Sequence, residues 1–295
     1  MIGIDTNHVQ KHLLQDIRVL LDKTGQKYPP FKPELIAPYR KVVEIRREKL
    51  KVPGILIPIK EGFVIKLNAD DPPARQRVTY AHEIVHTFFY DTAVSPPSKV
   101  SHEAGQFGHE EKICNYLAGE LLMPEEAARK VMAQFDYPSM KAFVTLMNLF
   151  NVSSEFLAWR LGILKAWRAI IILFAQRDSP SHRGPPSLRK EALAPLDGKP
   201  LRVWKTFKHG DYWRVRIQPG LPIGEKLSPA IAFRSGVEVV MKEYWELGQL
   251  KGDFLIQSRR FEGRPTHVVS IVLSDDKYDD FLLSKVPQQT QLSLL

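Results

Sequence analysis

The hydrophobic pattern of this 295-residue chain changes period at Trp167. Ahead of that point apolar residues recur at helical spacing. Beyond it they gather in short runs rich in Ile, Val, Leu and Phe. Helices followed by strands make an α+β protein, and a chain of this length exceeds one small domain. In the first part, Val9, Leu13, Ile17, Leu20 and Leu21 place a helix over residues 8–21, stopped by Tyr28-Pro29-Pro30. Two apolar runs, residues 54–59 and 62–67, flank Lys60-Glu61 and predict a hairpin. Asp71-Pro72 predicts a helix start, with Asp71 as N-cap and Pro72 at the first helical position, and the pattern carries that helix to about Tyr90. Residues 92–108 read as a small-residue loop, and helices are predicted through 113–122, 125–134, 139–150 and 153–164. Strands are predicted at 169–175, 201–207, 212–217 and 268–273, and residues 177–200, dense in Pro, Ser, Gly and Arg, as an exposed loop. Joints near 135 and 166 divide the chain into three sections, 1–135, 136–166 and 167–295.

Composition narrows the class. At 44% hydrophobic and 25% charged residues, the chain is globular in character. Its one cysteine, Cys114, excludes an intramolecular disulfide framework and suits a reducing cytoplasm. The first sixteen residues carry Asp5, His8, Lys11 and Asp16 and no apolar stretch, so no secretory signal is expected there. The longest apolar run, residues 169–175, is far too short to span a bilayer, and no membrane partner is expected. Basic residues exceed acidic ones by 42 − 33 = 9, with a pI near 9.5. That balance suits nucleic acid or an acidic partner and identifies neither. Basic clusters at Arg46-Arg47, Lys49, Lys51 and at Arg259-Arg260 are the candidate footprint, although Glu44 and Glu48 beside the first suggest an ordinary solvated face.

The chemistry concentrates in Ala81-His82-Glu83-Ile84-Val85-His86. On a helix, positions four apart share one face, so His82 and His86 can aim ring nitrogens at one ion. Zinc takes imidazole readily and keeps three protein ligands at a catalytic site, leaving a fourth position for water. Glu83 directly follows the first histidine, where its carboxylate can act on that water as general base. The third ligand is open. Position 92 is a threonine, so no third histidine follows at close spacing. Candidates are Glu103, Glu110, Glu111 and Glu120, with His102 and His109 as outsiders. Asn115, one turn beyond Glu111, can orient a ligand and favours that choice. Glu110 and Glu111 also read as helix N-terminal charges facing water.

The run Arg75-Gln76-Arg77-Val78-Thr79-Tyr80 into the His82–His86 motif, then Glu111-Lys112-Ile113-Cys114-Asn115 and Ala118-Gly119-Glu120-Leu121-Leu122-Met123-Pro124, resembles the ImmA/IrrE metallopeptidases. The likeness covers roughly residues 54–134, departing at Gly119, where alanine is commoner. It implies a zincin-like peptidase domain with His82, His86 and Glu111 as zinc ligands, Glu83 as general base and Asn115 supporting them. Mn²⁺ also suits two histidines and a carboxylate. It further implies a protein substrate, a helix-turn-helix repressor of the Cro/XRE type, whose cleavage releases a DNA-damage or mobile-element response. Candidates for stabilising the oxyanion are Tyr80, His102, His109 and Arg77.

Residues 139–164 read as a helix-turn-helix-like segment. Its second helix offers only Arg160 and Glu155 as charged groups, which favours a scaffold or protein-docking role over DNA binding. Residues 167–295 hold no catalytic constellation; His182, His209 and His267 are far apart, and Trp204, Tyr212, Trp213, Tyr244 and Trp245 are expected in a core. Their position after the helix-turn-helix, with Phe233-Arg234-Ser235-Gly236, resembles the GAF-like mixed α/β sensor domain of longer, IrrE-like members. Two readings follow: a zinc-dependent endopeptidase under a regulatory domain, or a DNA-binding regulator with a structural metal. The oligomeric state is not legible.

Overall fold

Leu13, Ile17 and Leu21 recur every fourth residue, and helix α1 (Thr6–Lys23) buries that stripe. It belongs to a computed structural model that describes residues 6–100, 107–176, 200–208, 215–263 and 266–273. The chain divides into two compact units, one of Met1–Val131 with Leu146–Ser153, the other of Met132–Thr145 with Ser154–Leu295.

In the first unit, a short helix α2 (Pro33–Ile36) and a 3-10 turn lead into strand β1 (Val42–Glu48), then β2 (Gly54–Ile59) and β3 (Gly62–Asn68). β2 and β3 form the expected antiparallel hairpin, from Gly54 opposite Leu67 to Ile59 opposite Gly62. β1 pairs with β3 in parallel, giving the order β1-β3-β2. This strand was not legible because charged residues occupy Glu44, Arg46, Arg47 and Glu48. Pro58 lies within β2, a position open to proline only where the strand has a free edge.

Helix α3 (Pro73–His86) has Pro72 as N-cap and Pro73 at N1, one residue later than predicted. It closes earlier than Tyr90: a 3-10 turn takes Thr87–Phe89 and strand β4 takes Tyr90–Asp91. Arg40 helps to end it, its Nη2 donating to the Thr87 carbonyl at 2.8 Å. The expected loop after it contains a second strand, β5 (Ser98–Lys99), which pairs with β4. Helix α4 (Phe107–Leu122) packs on both α1 and α3. Its Ile113, Leu117 and Leu121 are buried as the spacing predicts. Helix α5 (Glu125–Met132) follows Pro124.

Helices α6 (Met140–Phe150) and α7 (Ser154–Ile163) coincide closely with the predicted pair. α6 is shared between the units, residues 140–145 with the second and 146–150 with the first.

The second unit is built on strands β6 (Ile170–Gln176), β7 (Leu201–Lys208), β8 (Val239–Leu247), β9 (Leu250–Phe261) and β10 (His267–Leu273). They form an antiparallel sheet in the order β7-β6-β10-β9-β8, and helix α8 (Ser228–Ser235) packs on β8, β9 and β10. β8, β9 and α8 were not predicted. The strand predicted at 212–217 is not seen at residues 215–217, and 209–214 lie outside the described residues, as does the predicted loop at 177–199. Trp245 is fully buried and meets Phe174 edge-on at 5.9 Å, whereas Tyr244 is half exposed. Beneath it sits a buried carboxylate, Glu243, which receives Trp245 Nε1 at 2.8 Å and caps α8 through the Ser228 amide at 3.0 Å.

Candidate metal centre

Four-residue spacing on α3 puts His82 and His86 on one face with their Nε2 atoms 3.0 Å apart. α4 brings in Glu111, whose Oε2 lies 3.3 Å from His82 Nε2 and Oε1 3.2 Å from His86 Nε2. Two imidazole nitrogens and a carboxylate facing one point suit a cation shared among them. A tetrahedral ion with bonds of about 2.0–2.1 Å needs donor atoms roughly 3.3 Å apart. The three groups therefore fit a divalent metal, and two nitrogens with one oxygen suit Zn²⁺ or Mn²⁺. The histidines are largely buried, and Glu111 is the exposed member of the set. Burial and the neighbouring His86 lower the pKa of His82, against the pull of Glu111 and Asn115.

Glu83 is buried beside this group. Burial and the charge of Glu111 push its carboxyl up to about 7, while a hydrogen bond from the Leu56 backbone N–H on β2 works in the other direction. The close approach of β2 depends on Gly54. A Cβ there would meet Thr79 Cγ2 at 2.5 Å and the Glu83 carboxylate oxygen at 3.0 Å.

The other ligand candidates have different destinations. Glu110 does not face water: it is buried, with Oε1 3.0 Å from His86 Nδ1 and Oε2 3.0 Å from Lys99 Nζ. Glu120 is also buried, and its Oε2 accepts the Glu125 amide at 3.2 Å at the start of α5. His109 is exposed, and His102 and Glu103 lie outside the described residues. Cys114 is fully buried, its Sγ 3.5 Å from His86 Nδ1, and burial together with Glu110 and Glu111 drives its thiol far above the ordinary range. Of the oxyanion candidates, Arg77 donates to the Phe31 carbonyl, and Tyr80 is buried with Glu34 and Arg47 as its charged neighbours. Sequence reasoning missed Lys99, Leu56 and Gly54. Only Gly54, the glycine that opens an apolar run, carried a signal of close backbone approach.

The basic clusters are paired in part: Arg46 bonds Glu44, Arg47 donates to Gln76, Arg259 lies near Glu238, and Arg260 lies 2.8 Å from Glu262. On α7, Arg160 is fully buried and Glu155 is bonded to Lys205.

Residues 43–162 match a peptidase family, M78, described as the IrrE N-terminal-like domain. No curated protein matches the chain. Among solved structures, a Mycobacterium tuberculosis transcriptional regulator is similar over 90% of this chain and 76% of its own, at 13% identity and a TM-score of 0.48.

Proposed function

On the match of residues 43–162 to the IrrE N-terminal-like domain, we propose that the protein is a metal-dependent endopeptidase of the ImmA/IrrE family. The observation that carries the reading is the convergence of His82, His86 and Glu111 beside a buried Glu83. His82 and His86 through Nε2, and Glu111 through its carboxylate, would hold the metal. A divalent ion there supplies Lewis acidity to a peptide carbonyl and to the attacking water. Glu83 accepts a proton from that water on its carboxylate and delivers it to the departing amine nitrogen, so the C–N bond breaks and the base is regenerated. The peptide is held extended along β2, whose outer edge has no strand partner among the described residues and gives its Leu56 N–H to Glu83.

The substrate we assign is a helix-turn-helix repressor, cleaved at one site to start a stress or mobile-element response in the cytoplasm. The second unit, an antiparallel sheet with a helix against it, is read as a GAF-like regulatory domain. Its role is to control the peptidase and not to perform chemistry. The competing reading, direct DNA binding through α7, has little to draw on, since Arg160 is buried.

The test is mass spectrometry of helix-turn-helix repressors from the same genome, each co-expressed with wild type and with Glu83→Gln. One internal cut, present with wild type and absent with the variant, is the expected result. Intact repressors beside metal-loaded wild type would remove this substrate class.

A further inference from the structure

We infer that Glu110, backed by Lys99, is a positioning residue for His86: it sets which ring nitrogen carries the proton and so which one is free for metal. This inference rests on the metal-dependent reading above and adds a residue to its machinery.

The argument begins with the donor inventory. A neutral imidazole donates from one nitrogen and accepts at the other, while an ionised carboxylate only accepts. Glu110 Oε1 lies 3.0 Å from His86 Nδ1, so that hydrogen bond requires the proton on Nδ1. The lone pair is then left on Nε2, the nitrogen turned toward Glu111 and His82. A carboxylate behind a metal-binding histidine orients the ring and fixes its tautomer.

Two features fit this role better than chance burial. Glu110 sits one residue before Glu111, and adjacent residues on a helix point about 100° apart. One carboxylate therefore reaches the inner face of the histidine pair while its neighbour reaches behind His86. Second, Glu110 is only 7% exposed, and a carboxylate that deep needs cationic or donor partners on both oxygens. Lys99 supplies the second at 3.0 Å. The short ladder of β4 and β5 delivers it, because pairing Tyr90 with Lys99 folds the chain back after α3. That return is anchored by the Ser95 hydroxyl, which donates to the Lys60 carbonyl at 2.8 Å. His82 has no carboxylate behind it among the described residues: its buried Nδ1 has no hydrogen-bond partner there, and the Asn115 side chain is what hydrogen-bonds the ring. Of the two histidines, His86 is the one held by a charged partner.

Glu110, His86 Nδ1 and Cys114 also lie close enough to hold an ion themselves. The Lys99 ammonium already on Glu110 disfavours a second cation there.

The experiment is zinc competition against a chromophoric chelator, together with the visible spectrum of the Co²⁺-loaded protein. It compares wild type, Glu110→Ala, Glu110→Gln, Lys99→Met and Cys114→Ser in the full chain. Glu110→Ala is expected to weaken zinc binding about 10–100-fold and to alter the Co²⁺ ligand-field bands. Glu110→Gln restores part of the affinity, because its amide oxygen still accepts from Nδ1–H. Lys99→Met, at a partly exposed position, gives a smaller loss and decides the matter if Glu110→Ala does not fold. Zinc affinity and Co²⁺ bands unchanged in all the Glu110 and Lys99 variants that fold would overturn the inference. So would an equal loss in Cys114→Ser with a thiolate charge-transfer band in wild type, which would make Glu110 a ligand. Wild type that binds no metal would overturn the metal reading itself and this inference with it.

Discussion

Glu83 is the residue at which chemistry and stability can be separated. Glu83→Gln keeps an oxygen for the Leu56 N–H and removes the proton acceptor. Cleavage should fall at least about 100-fold while bound metal, measured by elemental analysis, stays the same. The same residue predicts a pH effect in chelated protein. Its folded pKa, about 7, lies above the ordinary 4.5, so the fold favours the neutral form. The resulting penalty is absent below about pH 4, grows between the two values and is complete above pH 7. Metal-free Glu83→Gln should therefore be more stable than metal-free wild type at pH 8, by about 1–3 kcal/mol, with the gap closing on acidification. Denaturant titrations at pH 5 and pH 8 would check this, and a constant gap would refute it. None of the burial behind this shift was visible in the motif. The spacing implied two ring nitrogens on one face, but the Leu56 N–H comes from a strand about thirty residues earlier.

Elements carry the next tests. β2 reaches α3 because Gly54 lacks a Cβ, and Gly54→Ala places a methyl 2.5 Å from Thr79 Cγ2 and 3.0 Å from Glu83. We expect a loss of stability of about 1–3 kcal/mol and reduced cleavage with metal retained. In the second unit, Glu243→Ala strands the buried Ser228 amide and Trp245 indole N–H. A cost of about 2–4 kcal/mol in urea unfolding is expected there. β8 shows why this unit was hard to read. Val239, Glu243, Trp245 and Leu247 are its buried positions, and a glutamate among them hides the alternation. β1 was hidden by its charges. By contrast α1 follows its apolar spacing because it buries one stripe, and the β2–β3 hairpin was legible from two short apolar runs around Lys60-Glu61, β3 being buried at consecutive residues.

For the whole chain, the division into two units gives a spectroscopic handle. All five tryptophans, from Trp159 onward, belong to the second unit. The three metal-site residues belong to the first. Chelation should lower the first unit's melting transition, followed by calorimetry, and leave the thermal transition seen by tryptophan fluorescence nearly unmoved. A parallel drop in both signals would mean that the units unfold together. Among the described residues no helix is long and apolar enough to cross a membrane. On α7 Arg160 is inside and Glu155 is paired with Lys205.

The sequence alone determined helices α1 and α3 to α7, the hairpin and the pairing of His82 with His86, because each follows from residues within a turn or two of one another. Likeness of motif added Glu111. The tertiary structure alone decided the fates of the remaining acids: Glu110 behind His86, Glu120 at the start of α5, Glu243 beneath Trp245. In the sequence each of these is a charge on an amphipathic segment, equally suited to water. Which of them is drawn inside depends on donors supplied by distant segments, Lys99 and the Ser228 amide among them, and no local period encodes that meeting.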